Sequence, residues 1–297
     1  MRYICTDLHG QYKLWEQIKE TLNENDTLYF LGDAVDRGYD GIKIMTEMLA
    51  DPRVIYFRGN HEQMMYDSVI GIYKDYEKII KGDEDIPFPG KSWYLFNGGD
   101  ETTEYLWRNY YTIEEIEKLR EMIEKMPLHM EVQAGDKTIY LSHSGYEPFI
   151  MDKDWIMPFE KRSTTQMRYI WDRDHIHMGW KKQNISKFPH FDFDNSYVIH
   201  GHTPVVSRDM LEKYMDDNNI PISKEGYLQL NDFKKEPKIF QYAEGHKINL
   251  DLGSFVTGVA ALFNLDTFET QYFYDESKNK SWVKEIENEK IHLNGTK

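Results

Sequence analysis

Arg2-Tyr3-Ile4-Cys5-Thr6-Asp7-Leu8-His9-Gly10 is a short β-branched and aromatic run that stops at a carboxylate, an imidazole and a glycine. The same punctuation recurs along the chain. Thr27-Leu28-Tyr29-Phe30-Leu31 ends in Gly32-Asp33, and Arg53-Val54-Ile55-Tyr56-Phe57 ends in Arg58-Gly59-Asn60-His61-Glu62. Thr138-Ile139-Tyr140-Leu141 ends in Ser142-His143-Ser144-Gly145, and Ser196-Tyr197-Val198-Ile199 ends in His200-Gly201-His202-Thr203. Short runs of this composition bounded by glycine read as buried strands. Between the first three, Tyr12 to Leu22 and Gly41 to Leu49 carry apolar residues at helical spacing. Strand–helix alternation predicts an α/β layered fold with parallel strands, whose ligands bind beyond the strands' carboxyl ends. All five polar clusters sit at such ends.

Working outward, residues 62–130 read as mostly helical, broken at Pro87, Pro89 and Asn97-Gly98-Gly99. Ile113 to Met126 is a charged amphipathic helix stopped by Pro127. This stretch is expected to be a helical insertion on one domain spanning 1–297. Residues 209–245 are polar with weak periodicity, which predicts an irregular excursion near the active face. Strand-like patterns return at Lys247-Ile248-Asn249-Leu250-Asp251-Leu252-Gly253 and at Gly258-Val259-Ala260-Ala261-Leu262-Phe263, predicting a second sheet from the C-terminal half. The highly charged residues from Glu276 onward are expected to fray.

Composition narrows the function. The 297 residues include 36 basic and 51 acidic side chains, a net charge of −15, which disfavours a broad surface for long nucleic acid. A single phosphate remains a feasible ligand if something local and strongly positive, a metal ion or a few arginines, faces it. The first residues lack the apolar core of a signal peptide, and no run approaches the roughly 18 apolar residues of a membrane span. Cys5 is the only cysteine, so no disulfide forms within the chain and a cytoplasmic location is expected.

The strand ends supply the ligands of a metal site: Asp7 and His9 two residues apart, then Asp33, Asn60, His61, His143 and His202. Taken singly, each has a plainer role as a cap or a hydrogen-bonded core histidine. Mixed oxygen and nitrogen donors suit manganese, iron or zinc better than magnesium or calcium. A carboxylate such as Asp33 can bridge two ions about 4 Å apart, the spacing of two-metal hydrolases. His200, two residues before His202, competes for the ligand role, whereas His175 and His177 read as exposed. Cys5 reads as an inert core residue.

The set Asp7-Leu8-His9-Gly10, Gly32-Asp33-Ala34-Val35-Asp36-Arg37-Gly38 and Gly59-Asn60-His61-Glu62 resembles the signature of the serine/threonine phosphoprotein phosphatases, a family of calcineurin-like metallophosphoesterases. His143 and His202 continue the pattern, and the resemblance runs from about residue 1 to about residue 265. It extends to bacterial members, some of which cleave diadenosine tetraphosphate. The stretch Trp93…Asn97-Gly98-Gly99…Thr102 is similar to a feature of those members. The resemblance implies a four-layer αββα sandwich of two mixed sheets. It places Asp7, His9 and Asp33 on one divalent ion, and Asp33, Asn60, His143 and His202 on a second, with manganese preferred. It implies direct attack by a water at the metals, without a phosphoenzyme. His61 is then the general acid, Asp36 its partner, and Arg37 a phosphate-binding fork. Arg173 in Trp171-Asp172-Arg173 matches the family's second phosphate-binding arginine, and Arg58 and Glu62 are expected to shape the Gly-Asn-His turn. Thr6 departs from the family, many of whose members have glycine before this aspartate.

Three functions follow in order. The first is hydrolysis of phosphoserine or phosphothreonine in proteins, the second hydrolysis of a dinucleoside polyphosphate. The third is a catalytically silent module that binds a phosphorylated partner, which should have lost one of Asp7, Asp33, Asn60, His61 or His202; all five are present.

Overall fold

Period-two patterning decides how the strands stack. In the computed structural model, which describes residues 1–87, 90–145, 167–173, 192–221 and 230–295, the chain forms two five-stranded sheets. The first comprises β1 (Arg2–Cys5), β2 (Thr27–Phe30), β3 (Val54–Tyr56), β9 (Val259–Asn264) and β10 (Thr270–Tyr274), in the order β10-β9-β1-β2-β3. β1, β2 and β3 run parallel, with Tyr3 opposite Leu28 and Leu28 opposite Val54; β9 is antiparallel to β1, and β10 to β9. The second sheet comprises β4 (His129–Ala134), β5 (Lys137–Ser142), β6 (Ser196–His200), β7 (Phe240–Tyr242) and β8 (Lys247–Asn249), ordered β4-β5-β6-β8-β7. Its inner strands β5, β6 and β8 are parallel and its edges antiparallel.

Alternate residues face opposite layers. Ile4, Tyr29, Leu31, Phe57 and Phe263 of the first sheet meet Ile139, Leu141, Ile199 and Ile248 of the second in one buried cluster between the sheets. The intervening residues Cys5, Leu28, Phe30, Tyr56 and Leu262 turn outward onto helices. Those helices are α1 (Tyr12–Thr21), α2 (Gly41–Ala50), α3 (Asn60–Lys74) and α7 (Ile113–Lys125), which bury Leu14, Trp15, Ile18, Ile44, Met45, Met65, Ile116 and Ile123. On the far side of the second sheet, Tyr169 and Ile170 of a helical turn pack against Tyr140. The arrangement is the expected αββα order.

Between α3 and α7 lie α4 (Tyr76–Lys81), α5 (Gly90–Phe96) and α6 (Gly99–Arg108). Three expectations are corrected. The run at 258–263 joins the first sheet, not the second, because its alternating Ala260 and Leu262 complete the helix-facing core. The 209–245 excursion is partly regular in its described residues, 209–221 and 230–245: they hold most of α8 (Arg208–Asp217), all of α9 (Asn231–Lys235) and strand β7, anchored by buried Met210, Met215 and Phe240. The C-terminal stretch forms α10 (Ser254–Thr257), the strands above, and then helix α11 (Glu276–Gly295) in place of a frayed tail. Ile286 of α11 is buried, Trp282 Nε1 donates to the Lys234 carbonyl at 2.6 Å, and Lys235 pairs with Glu287 at 3.0 Å.

Candidate metal centre

The carboxyl ends of β1, β2, β3, β5 and β6 open on one side of the sandwich, and backbone bonds lock their loops together. Asp7 N–H donates to the Gly32 carbonyl at 3.0 Å and His9 N–H to the Asp33 carbonyl at 3.0 Å. Gly201 N–H donates to the His143 carbonyl at 2.8 Å across the second sheet. The turns are sharp. Asp7, His9, Asp33, Asp36, Arg37 and His202 all have left-handed φ, between 42° and 69°, and account for six of the eleven such non-glycine residues among those described. Each costs about 1–2 kcal/mol relative to ordinary backbone, and this strain is concentrated where it turns polar side chains toward one point.

Glu62 holds the second and third turns together. Its carboxylate accepts the N–H groups of Asp33 at 2.8 Å, Ala34 at 2.9 Å and Gly59 at 2.9 Å, and the Tyr56 hydroxyl at 2.9 Å. Its expected role as a turn former fits these bonds. Arg58 instead reaches α7, donating to the carbonyls of Ile123 and Glu124.

Among the described residues, two groups of side chains have ligand atoms close enough to share a cation: His9, Asp33 and His61, and Asp33, His143 and His202. Asp33 belongs to both. Backbone carbonyls fix two of the rings, because His9 Nδ1 donates to Val35 O at 3.0 Å and His143 Nδ1 to Leu31 O at 2.9 Å. Each ring then aims Nε2 inward as a potential ligand. His9 Nε2 lies 3.7 Å from Asp33 Oδ2 and 3.9 Å from Asp7 Oδ1. Asn60 Oδ1 lies 2.8 Å from both His143 Nε2 and His202 Nδ1, and Asp33 Oδ2 is 3.3 Å from His143 Nε2. The six expected ligands Asp7, His9, Asp33, Asn60, His143 and His202 therefore converge, with His61 beside His9 and Asp33.

The donor chemistry fits divalent ions. Asp7 Oδ1 is buried with no hydrogen-bond partner among the described residues, which a buried carboxylate oxygen tolerates poorly unless a cation faces it. Burial, then the nearby Asp251 carboxylate, holds Asp7 well above the usual carboxylate range. Asp33 is also buried, yet His143 and His61 hold its carboxyl well below that range. Burial opposes charge on His143, but Asp33 and Asp7 overcome it and bring the imidazole up to about 9. Burial keeps His9 and His202 well below the ordinary histidine value, aided by Arg37 beside His9 and by His143 and Arg173 beside His202.

Around these ligands stand the remaining expected residues. His61 Nδ1 donates to Asp36 Oδ2 at 2.7 Å, and both side chains are buried. Arg37 donates from Nη1 to His9 Nε2 at 3.0 Å and from Nη2 to His61 Nε2 at 2.9 Å. Arg173 Nε donates to His202 Nε2 at 3.3 Å. His200 turns away: it is on the Val198 side of β6, and its Nε2 meets the Tyr242 hydroxyl at 2.8 Å. β6 ends at His200 and His202 has a left-handed φ, which breaks the alternation that would put both rings on one face. His175 and His177 lie outside the described residues.

Four residues near the centre had no part in the sequence reading of the site. Ser254 Oγ donates to the Asp7 carbonyl, and Phe255 packs edge-on to His9 with ring centroids 5.5 Å apart. Asp251 accepts the Gly253 N–H at 2.8 Å, and burial raises its carboxyl to about 6. Asn249 Nδ2 donates to the Thr203 carbonyl at 2.7 Å. Asn249 ends β8 and the other three follow it, so Asp251-Leu252-Gly253 carries the same strand-end signal that located the other clusters.

A family model described as calcineurin-like phosphoesterase matches residues 3–206. Among solved structures, a metallophosphoesterase from Sphaerobacter thermophilus is 15% identical, with 96% of this chain and 94% of that one covered at a TM-score of 0.46. A protein serine/threonine phosphatase from Saccharomyces cerevisiae is 15% identical over 88% of this chain and 71% of its own, TM-score 0.45. A cold-active protein-tyrosine phosphatase from a Shewanella species is 13% identical over 91% and 79%, TM-score 0.48. Likenesses this distant do not bear on substrate. The family match covers more than half of the chain and every strand-end cluster through His202, and the chain belongs to the calcineurin-like phosphoesterase family.

Proposed function

We propose that the protein is a two-metal phosphomonoesterase that hydrolyses phosphoserine or phosphothreonine esters. The observation that carries this reading is the buried His61–Asp36 pair, 2.7 Å apart, joined through Arg37 to the ligand cluster. Asp7, His9 and Asp33 would hold one divalent ion, and Asp33, Asn60, His143 and His202 the other, manganese suiting this donor mixture. Ions in such a site supply Lewis acidity, polarising phosphoryl oxygens and making a water nucleophile available near neutral pH. The chain's own groups do the rest. Arg37 turns its two-pronged fork from the imidazoles to the phosphate oxygens, with Arg173 facing it from the His202 side. Asp36 orients the ring through His61 Nδ1, and once Arg37 has turned to the phosphate, Nε2 is free to take a proton from solvent and hand it to the leaving oxygen.

Hydrolysis of a dinucleoside polyphosphate is the second reading. It is favoured by Trp171, 39% exposed and edge-on to His202 with ring centroids 6.2 Å apart, where a nucleobase has a ring to stack on. The deciding experiment compares kcat/KM for a phosphoserine peptide and for diadenosine tetraphosphate on manganese-loaded protein, with His61→Asn as control. A tenfold preference, about 1.4 kcal/mol of differential transition-state binding, assigns the class. Preference for the peptide with an inactive control supports the phosphatase; preference for the dinucleotide replaces it. No turnover above the control would favour a binding module.

A further inference from the structure

The Asp36 carboxylate is served from outside the strand-end loops. Trp93 Nε1 on α5 donates to Asp36 Oδ2 at 2.6 Å, and Thr102 Oγ1 on α6 donates to Asp36 Oδ1 at 2.6 Å. The Asp36 N–H returns a bond to Thr102 Oγ1 at 3.1 Å. With His61 Nδ1 on Oδ2, the carboxylate accepts three donors, and Asp36, His61, Trp93 and Thr102 are all at most 1% exposed. A carboxylate buried this deeply without fixed donors would take up a proton or rotate to another partner. Bonds at both oxygens hold it in one orientation.

The corner that delivers these donors is itself wedged in place. Arg37 N–H donates to the Gly98 carbonyl at 3.2 Å, and a Cβ on Gly98 would lie 2.3 Å from that nitrogen. A Cβ on Gly99 would lie 2.4 Å from the Trp93 ring. The Asn97-Gly98-Gly99 turn therefore seats the insertion on the loop that carries Asp36 and Arg37. Trp93 Nε1 and Thr102 Oγ1 reach the ligand cluster through Asp36.

We propose that Trp93 and Thr102 are positioning residues of the hydrolysis, acting through Asp36 to hold His61 as proton donor, so that the helical insertion completes the reactive site. The inference rests on the general-acid reading of His61 given above. In that step the oxygen of water bonds to phosphorus and the phosphorus–ester oxygen bond breaks. The proton on His61 Nε2 passes to the departing oxygen, which leaves as the alcohol, while Nδ1 keeps its proton on Asp36. The neutral imidazole takes its next proton from solvent.

A poor leaving group, the serine alkoxide, needs that proton far more than p-nitrophenolate does. The test uses the full-length manganese-loaded protein with a phosphoserine peptide and p-nitrophenyl phosphate as paired substrates. The variants are Trp93→Phe, Thr102→Val, Thr102→Ser and His61→Asn. His61→Asn is expected to lose about 10²- to 10⁴-fold in kcat on the peptide. Trp93→Phe and Thr102→Val should lose about 10- to 100-fold on the peptide, with KM little changed and a loss about tenfold smaller on the aryl ester. Thr102→Ser, which keeps the hydroxyl, should recover most of the Thr102→Val loss. Metal content and near-ultraviolet circular dichroism establish that each variant is loaded and folded. If Trp93→Phe does not fold, the Thr102→Val and Thr102→Ser pair decides. Equal losses on both substrates, or none, in the clamp variants overturn the inference. If His61→Asn itself does not discriminate between the substrates, the general-acid reading falls, and this inference with it.

Discussion

The Arg37 guanidinium carbon lies 4.6 Å from the centroid of the Phe255 ring, so an aromatic face backs the fork that is aimed into the metal centre. Guanidinium–aromatic contacts contribute about 0.5–2 kcal/mol, more when water is excluded. Phe255→Ala frees the fork and also removes the ring edge-on to His9, so manganese content is measured beside the kinetics. The KM of a phosphopeptide is expected to rise about 2- to 30-fold, with kcat changed far less. Steady-state kinetics check this, and an unmoved KM would reduce the ring to a space filler.

Asp33 stands in both ligand groups, whereas His143 and His202 stand in only one. After manganese reconstitution and desalting, metal analysis should find two ions per chain in the unsubstituted protein. One is expected in His143→Ala or His202→Ala, and fewer than one in Asp33→Asn. His61→Asn separates two roles for His61. Two retained ions agree with a proton donor, while a single ion would place His61 among the ligands, beside His9 and Asp33.

His143 gives the metal-free protein a definite pH response. Its folded value of about 9 lies above the ordinary 6.5, so the stabilisation is complete below 6.5 and is lost as pH rises through 9. Asp7, also raised, has the same sign over its own range, contributing less stability as pH rises above the ordinary aspartate value. Urea midpoints of the chelator-treated protein should therefore fall between pH 7 and about 9.5. His143→Gln should flatten that slope. A ligand imidazole must be neutral, so metal loading at pH 7.5 should also release close to one proton, read by calorimetry in buffers of different ionisation enthalpy.

Much of this was legible in the chain because a strand end is a strong local signal: an apolar run, a glycine, then a ligand. Asp7, His9, Asp33, Asn60, His61, His143 and His202 were all found that way, and the structure brings them together. What escaped the reading was set by long-range contacts. Trp93 and Thr102 lie 57 and 66 residues from Asp36, and nothing local marks them as its donors. His200 was placed beside His202 because the alternation rule assumes a continuing strand, and β6 ends at His200. β9 and β10 have ordinary strand patterns, but which of two sheets they join depends on pairings with β1 that no local period encodes.

The tightest seam between the sheets lies at Gly201. A Cβ there would be 2.0 Å from Asp7 Oδ2 and 2.5 Å from Thr6 Oγ1. That same Asp7 oxygen accepts the His202 N–H at 3.1 Å and the Thr6 hydroxyl at 2.5 Å, so it cannot retreat without losing both bonds. Gly201→Ala must push the β1 turn and the His202 turn apart. Overpacking of this kind costs about 1–3 kcal/mol, and here the displaced groups are two metal-site residues. The variant should bind manganese at least tenfold more weakly, beyond what its lowered melting temperature accounts for. Gly71→Ala is the control: it sits within α3, where the nearest atom to a Cβ is Pro87 Cγ at 3.6 Å, and relief of helical glycine entropy should stabilise it by up to about 1 kcal/mol. Manganese titrations that left Gly201→Ala as tight as Gly71→Ala would mean that Asp7 tolerates the displacement and holds no ion through its carboxylate.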